Sequence, residues 1–156
     1  MIKLIRIDDR LLHGQVAFTW TPALDVDCLL IANDKAAKDS FLKLTFGLAK
    51  PPNTQLLIKS MTETVAFLQD EKSGHLKILL LVTSVKDAHF LSQELPEIKS
   101  INFGGIRGKE GSRLITKAIA ITDGDVTLIK EMLGKGIELE IRQVPTDNKT
   151  LIAPLL

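Results

Sequence analysis

The run Arg6-Ile7-Asp8-Asp9-Arg10-Leu11-Leu12-His13-Gly14-Gln15-Val16 gathers one histidine, two arginines and two carboxylates behind a short apolar strand pattern. A neutral imidazole nitrogen can attack a phosphorus centre near neutral pH, and the N–P bond it forms is labile enough to pass the group on. His13 is therefore the candidate nucleophile; the same spacing also fits a histidine that caps a loop or packs under the following helix. Arg10, three residues earlier, offers a guanidinium that can bond two phosphoryl oxygens and offset their charge. Its alternative use is a surface ion pair with Asp8 or Asp9. Both aspartates would repel a phosphate, so their expected work is to orient Arg10 or to accept a proton from the imidazole ring. Plain capping of the loop by one of them is the alternative. Gly14 lets a ligand or another backbone approach closely, and with Gln15 it is expected on the substrate side. Arg6 lies inside the strand pattern and is a weaker candidate for the same work; its alternative use is to cover the sheet end.

A second glycine-bearing stretch reads Asn102-Phe103-Gly104-Gly105-Ile106-Arg107-Gly108-Lys109. Its amides, at Gly104 and Gly105 above all, could cradle an anion with Arg107 and Lys109 nearby. It lacks the P-loop spacing and also fits a mobile turn. His75 follows Ser73-Gly74 and is expected in solvent, and His89 on a helix surface or at an interface. Trp20 and Phe18 are expected in the core or at an interface. No cluster of His, Cys, Asp and Glu has zinc-ligand spacing, and no cofactor is called for.

The elements that must hold these residues alternate along the chain. Strands are expected at 2–7, 28–32, 55–59, 78–82 and 101–103. Helices are expected at 14–24, 34–48, 61–71 and 84–95, with Asp34 capping the second and Ser84 the fourth. Pro51-Pro52 stops the second helix. Ile78-Leu79-Leu80-Leu81-Val82 is apolar on both faces, as a parallel strand buried between helix layers must be. The alternation predicts an α/β fold: a doubly wound, mostly parallel central sheet with helices on both faces. Further on, 114–122 reads as a strand, 124–133 as a helix and 137–144 as a last strand near an edge, with Gly134 and Gly136 in the turn between. The tail 146–156 is expected to pack across the surface or against a second subunit. Ligands of such sheets bind beyond the carboxyl ends of the strands, so the loops after the first and fifth strands should share one crevice.

The 156 residues fit one domain, 1–156. A formal net charge of +1 and the lack of tyrosine give no footprint for nucleic acid. Cys28, the sole cysteine, reads as a buried reduced thiol. No apolar stretch reaches the ~18 residues of a membrane span, and no apolar signal core opens the chain.

The segment Arg6-Ile-Asp-Asp-Arg10-Leu-Leu-His13-Gly-Gln-Val16 closely resembles the phosphorylation-site segment of the IIB subunits of the mannose/fructose/sorbose family of the bacterial sugar phosphotransferase system. The similarity continues through Trp20, Ile31-Ala-Asn-Asp34 and Ala49-Lys-Pro-Pro52. It resumes at Asn102-Phe-Gly-Gly-Ile106, where many relatives read Asn-Val-Gly-Gly-Met, and at Glu138 to Asp147. The resemblance implies that His13 accepts a phosphoryl group on Nδ1 from a IIA phosphohistidine and passes it to a sugar delivered by membrane partners IIC and IID. It implies that Arg10 assists transfer, and that the protein is cytoplasmic and held at the inner face of the membrane through those partners. Two rival readings stand beside it. One is a non-catalytic α/β module that binds a phosphorylated metabolite or nucleotide between the two loops. The other is a regulatory domain whose histidine state is read by a partner. The sugar and the oligomeric state, a homo-oligomer included, stay open at this level.

Overall fold

The computed structural model describes residues 1–156. Seven strands form one sheet in the order β3-β2-β4-β1-β5-β8-β9, from β1 (Ile2–Asp8), β2 (Cys28–Ala32), β3 (Gln55–Lys59), β4 (Ile78–Val82), β5 (Ser100–Gly105), β8 (Glu138–Ile141) and β9 (Thr150–Leu151). All neighbours run parallel except β8 and β9. A separate antiparallel pair, β6 (Ser112–Leu114) and β7 (Ala120–Thr122), stands after β5. The expected doubly wound α/β architecture is the observed one.

Alternate residues of each buried strand feed the two sides. Cys28, Leu30, Ile78, Leu80, Val82, Ile5 and Ile7 pack in one cluster with Val65 of α4 (Met61–Gln69), Leu91 of α5 (Val85–Glu94) and Met132 of α6 (Asp123–Gly134). Leu29, Ile31, Leu79, Leu81 and Leu4 pack in the other, with Val16, Ala17 and Trp20, Ala36 of α2 (Asp34–Lys38) and Phe46 of α3 (Ser40–Ala49). The period of two along a strand buried on both faces produces both cores from one sequence run.

β1 connects toward β2, on one side, while β5 connects onward to β8 on the other. The crevice between their carboxyl ends is therefore the topological switch point, where open α/β sheets bind ligands. Asp8 pairs with Gly105 there.

Several expectations are corrected. The helix expected at 34–48 is two helices. Asp39 is extended (φ −113°), and its carboxylate accepts hydrogen bonds from the amides of Phe41 and Leu42, so it caps α3 rather than continuing α2. Asn33, not Asp34, caps α2. The Asp34 carboxylate instead accepts from the Met61 amide. The helix expected at 61–71 ends at Gln69, with a 3₁₀ segment at Glu71–His75. The strand expected at 114–122 is a hairpin closed by Ile115 and Ile119. No glycine or proline marks that turn, so its apolar alternation reads as one strand. Gly104 and Gly105 end β5 rather than follow it. β8 lies one strand in from the edge, near it as expected; β9, built from the tail, takes the edge itself, and Glu140 is buried. Phe18 is exposed rather than in the core, whereas Trp20 is buried. His75 is exposed as expected, but His89 is buried, its Nε2 2.7 Å from Glu131 Oε2 across α5 and α6.

Candidate active site at the carboxyl ends of the first and fifth strands

After β1 the chain turns sharply. The Leu11 amide donates to the Asp8 carbonyl at 2.9 Å, and Leu11 takes a left-handed conformation (φ 57°) with its side chain buried. A left-handed leucine costs about 1–3 kcal/mol and persists where the surroundings over-determine it. Its burial beneath the loop supplies that constraint, Leu12 is buried beside it, and His13 is left partly exposed, its side chain at 17%. The helix then opens with a π-helical segment at Val16–Trp20 before α1 (Thr21–Leu24). Such segments are frequent at functional sites because one extra residue re-aims the side chains that follow. Here Val16, Ala17 and Trp20 all reach the core.

Asp8 does two jobs that the sequence offered as alternatives. Oδ1 accepts from the Arg10 amide at 3.0 Å and so caps the loop. Oδ2 lies 3.0 Å from His13 Nε2. It also accepts from Arg6 Nη2 at 3.2 Å, so this oxygen is a pure acceptor and Nε2 is the donor. His13 Nδ1 has no partner within the chain. Asp9 faces the other way. Its amide donates to the Gly105 carbonyl at 2.9 Å, and its carboxylate accepts from the Arg107 amide and Nε at 2.8 and 3.0 Å. Asp9 thus clasps the two loops, and its carboxylate bonds neither the His13 ring nor the Arg10 guanidinium. The Arg10 guanidinium makes no ion pair or hydrogen bond and is exposed. The surface pairing open to it is not made.

A cleft of about 450 Å³ runs between the loops, with Asp8, Arg10, Gln15, Gly105, Arg107 and Lys117 among its walls. Its cations outnumber its carboxylates, which suits an anion. Gly104 also borders it, beside the His13 loop as expected. Gly14 has open space around it and needs no special backbone conformation, so nothing within the chain requires a glycine there. A larger cavity, about 550 Å³, opens at the opposite end of the sheet, around Lys3, Asp70, Glu71, Glu97 and Lys99. Its mixed charges and its distance from the switch point keep it out of this site.

Beneath the site lies a polar network that the sequence reading passed over. Arg6, only 1% exposed, donates through Nη1 to Asn102 Oδ1 at 2.9 Å and to the Arg142 carbonyl at 3.0 Å. Asn102 Nδ2 donates to Glu140 Oε1 at 3.1 Å, and Arg142 holds the Glu140 carboxylate with Nε and Nη2. The guanidinium carbons of Arg6 and Arg142 lie 5.3 and 5.1 Å from the centroid of the Trp20 ring. The indole Nε1 donates to the Gln143 carbonyl. Burial pulls the Arg6 guanidinium below its ordinary pKa, against the charge and hydrogen bond of Asp8 and the charge of Glu140. Two cations and two carboxylates balance, which makes the burial tolerable. The signal was partly present: Arg6 and Asn102 each interrupt an apolar run, and the register sets them in one row with Glu140 across β1, β5 and β8.

The fold and the place of the crevice define a doubly wound α/β protein with an anion-suited site at its switch point. The family model described as PTS system sorbose subfamily IIB component matches residues 2–156, and the chain belongs to that family. It is 31% identical to a probable phosphotransferase enzyme IIB component of Streptococcus pyogenes, over all of this chain and 99% of that one. It is also 31% identical to the mannose-specific EIIAB component of Escherichia coli K12, over all of this chain and 48% of that protein. The chain thus spans about half the length of the EIIAB relatives it matches. The crystal structure of the IIBSor domain of the sorbose permease from Klebsiella pneumoniae superposes with a TM-score of 0.94 at 27% identity, covering 99% of this chain and 95% of that one.

Proposed function

We propose that this chain is a phosphoryl carrier of the sugar phosphotransferase system, acting as a single IIB domain over residues 1–156, and that His13 Nδ1 is the atom that carries the group. One observation supports this above the others: Nε2 is tied to Asp8 while Nδ1 stands without a partner, and Arg10, three residues earlier in the same loop, is exposed and unpaired. In the first step the Nδ1 lone pair attacks the phosphorus of a IIA phosphohistidine. The donor's N–P bond breaks and its electron pair stays on the donor ring. In the second, a sugar hydroxyl oxygen attacks the same phosphorus, the His13 N–P bond breaks, and the hydroxyl proton leaves to solvent. Positioning and charge stabilisation do most of the work in such transfers. Arg10 offsets the phosphoryl oxygens, Asp8 stabilises the ring on its far side, and Asp9 keeps the Arg107 loop against the site. Gly14, Gln15 and Gly105 bound the space the group occupies.

The donor is a IIA domain, by analogy with the EIIAB relatives in which the matched half is joined to further sequence. Relatives named for sorbose and fructose support a sugar as final acceptor. No helix is long and apolar enough to cross a membrane. In this reading the chain works at the cytoplasmic face, held there by membrane subunits IIC and IID. Family membership favours the carrier over a module that only binds a phosphorylated metabolite. The test is reconstitution: phosphorylated IIA, this chain and vesicles bearing IIC and IID should together yield sugar phosphate. Each omission should abolish it, and sugar phosphate formed equally well without this chain would overturn the proposal.

A further inference from the structure

We infer that Arg6 is a positioning residue that decides which nitrogen of His13 is free to react, by fixing the Asp8 carboxylate from below. The inference rests on the carrier reading for its consequence, but its structural content stands on the unphosphorylated protein.

An imidazole beside a loop can present either nitrogen. The Nε2–H form is selected here only if one carboxylate oxygen stays where Asp8 Oδ2 lies, 3.0 Å from the ring. Asp8 alone does not ensure this, because a carboxylate can turn about its terminal torsion, which is broad. Arg6 removes that freedom. Its Nη2 bonds the same oxygen that faces His13, while the Arg10 amide holds the other. Arg6 is itself immobile. Nη1 is shared between Asn102 and the Arg142 carbonyl, and Trp20 stands against the guanidinium.

Gly104 supplies the second, independent observation. A Cβ placed there would lie 2.0 Å from Arg6 Cζ and 2.4 Å from Nε, so the guanidinium occupies the space of the missing side chain. The requirement for a glycine at this position is thus the seat of Arg6. Arg6 Nε has no partner, a cost accepted for this one placement. Arg6 borders the floor of the cleft, but at 1% exposure its guanidinium is committed to Asp8, Asn102 and the Arg142 carbonyl, so it acts on His13 through Asp8.

The charged groups facing the pair are Arg6 and Asp8 from β1, Arg10 from the loop and, one link further, Glu140 and Arg142 after β8. Replacing Arg6 by lysine keeps the charge but not the fork: one ammonium cannot hold Asn102, the Arg142 carbonyl and Asp8 Oδ2 in the same geometry. The tautomer preference should then fall by about tenfold or more, the worth of one charge-assisted hydrogen bond.

The experiment is nitrogen-15 NMR of the His13 ring in the full chain, wild type beside Arg6→Lys and Arg6→Gln. Wild type should show the Nε2–H tautomer alone; a dominant Nδ1–H form there would overturn the inference at once. Folded Arg6→Lys should show both tautomers. Phosphorylation by IIA should then give Nε2-phosphohistidine beside the Nδ1 product. Arg6→Gln that folds should behave the same way; if it does not fold, wild type and Arg6→Lys decide. Unmixed Nε2–H in folded Arg6→Lys would refute the role of Arg6. Absence of any phosphorylation in wild type would instead refute the carrier reading, and the tautomer result would still stand.

Discussion

Arg10 and Gly104 separate two kinds of site residue. The Arg10 guanidinium bonds nothing within the chain, so Arg10→Gln should leave the thermal midpoint nearly unchanged. Transfer from phosphorylated IIA should slow by ~10²–10³, as when one preorganised donor is lost from an anion site. A large loss of stability with normal transfer would show that Arg10 serves the fold. Gly104→Ala should do the reverse at first sight: a methyl group 2.0 Å from Arg6 Cζ must displace a buried, paired cation. Breaking such a pair costs about 3–5 kcal/mol, and denaturant titration should show a loss of that order. Gly105→Ala should be far milder, since its Cβ would meet Asp8 only at 3.7 Å. His13, Arg10 and Asp8 were legible because they lie within six residues and their chemistry is local. Arg6 was undervalued because Asn102 and Arg142 lie 96 and 136 residues away and, with Glu140, meet it only through strand register.

At the level of elements, the buried strands were readable almost to the residue, because runs such as Cys28–Ala32 and Ile78–Val82 are apolar throughout and flanked by polar turns. Helices were less so, because side chains that compete for backbone amides decide their ends. Asp39 breaks one expected helix in two by that competition, and no periodicity reveals it. The same chemistry yields a prediction. Thr122 and Asp125 form a reciprocal capping box at the start of α6, each side chain accepting from the other's amide. Thr122→Ala should lower stability by about 0.5–2 kcal/mol, read by urea titration, with phosphoryl transfer unaffected. A neutral effect would mean that packing of Ile129 and Met132 alone holds the helix. The π-helical segment after His13 had no signal in the sequence; it ends on Trp20, whose ring meets Arg6 and Arg142 and whose Nε1 donates to the Gln143 carbonyl.

For the molecule as a whole, two apolar cores pack on either side of the sheet whose carboxyl ends carry the crevice. Cys28, in the middle of that packing, reports on it. Burial, helped by the charge of Asp27, pushes its thiol up to about 11 from an ordinary 9.0. Between those values the unfolded chain has released the proton and the folded one has kept it. Stability should therefore fall as pH rises through this window, by about 1.4 kcal/mol per unit for this group. Cys28→Ala should lose less stability than wild type between pH 9 and 11; equal slopes would show that the thiol ionises in place. Where the phosphoryl group sits decides whether His13 Nδ1 is the carrier atom. Phosphorylated IIA should place an acid-labile, base-stable label on His13 alone, at Nδ1, and His13→Ala should take none. Label retained by that variant, or carried by His75 or His89 in the wild type, would contradict the account.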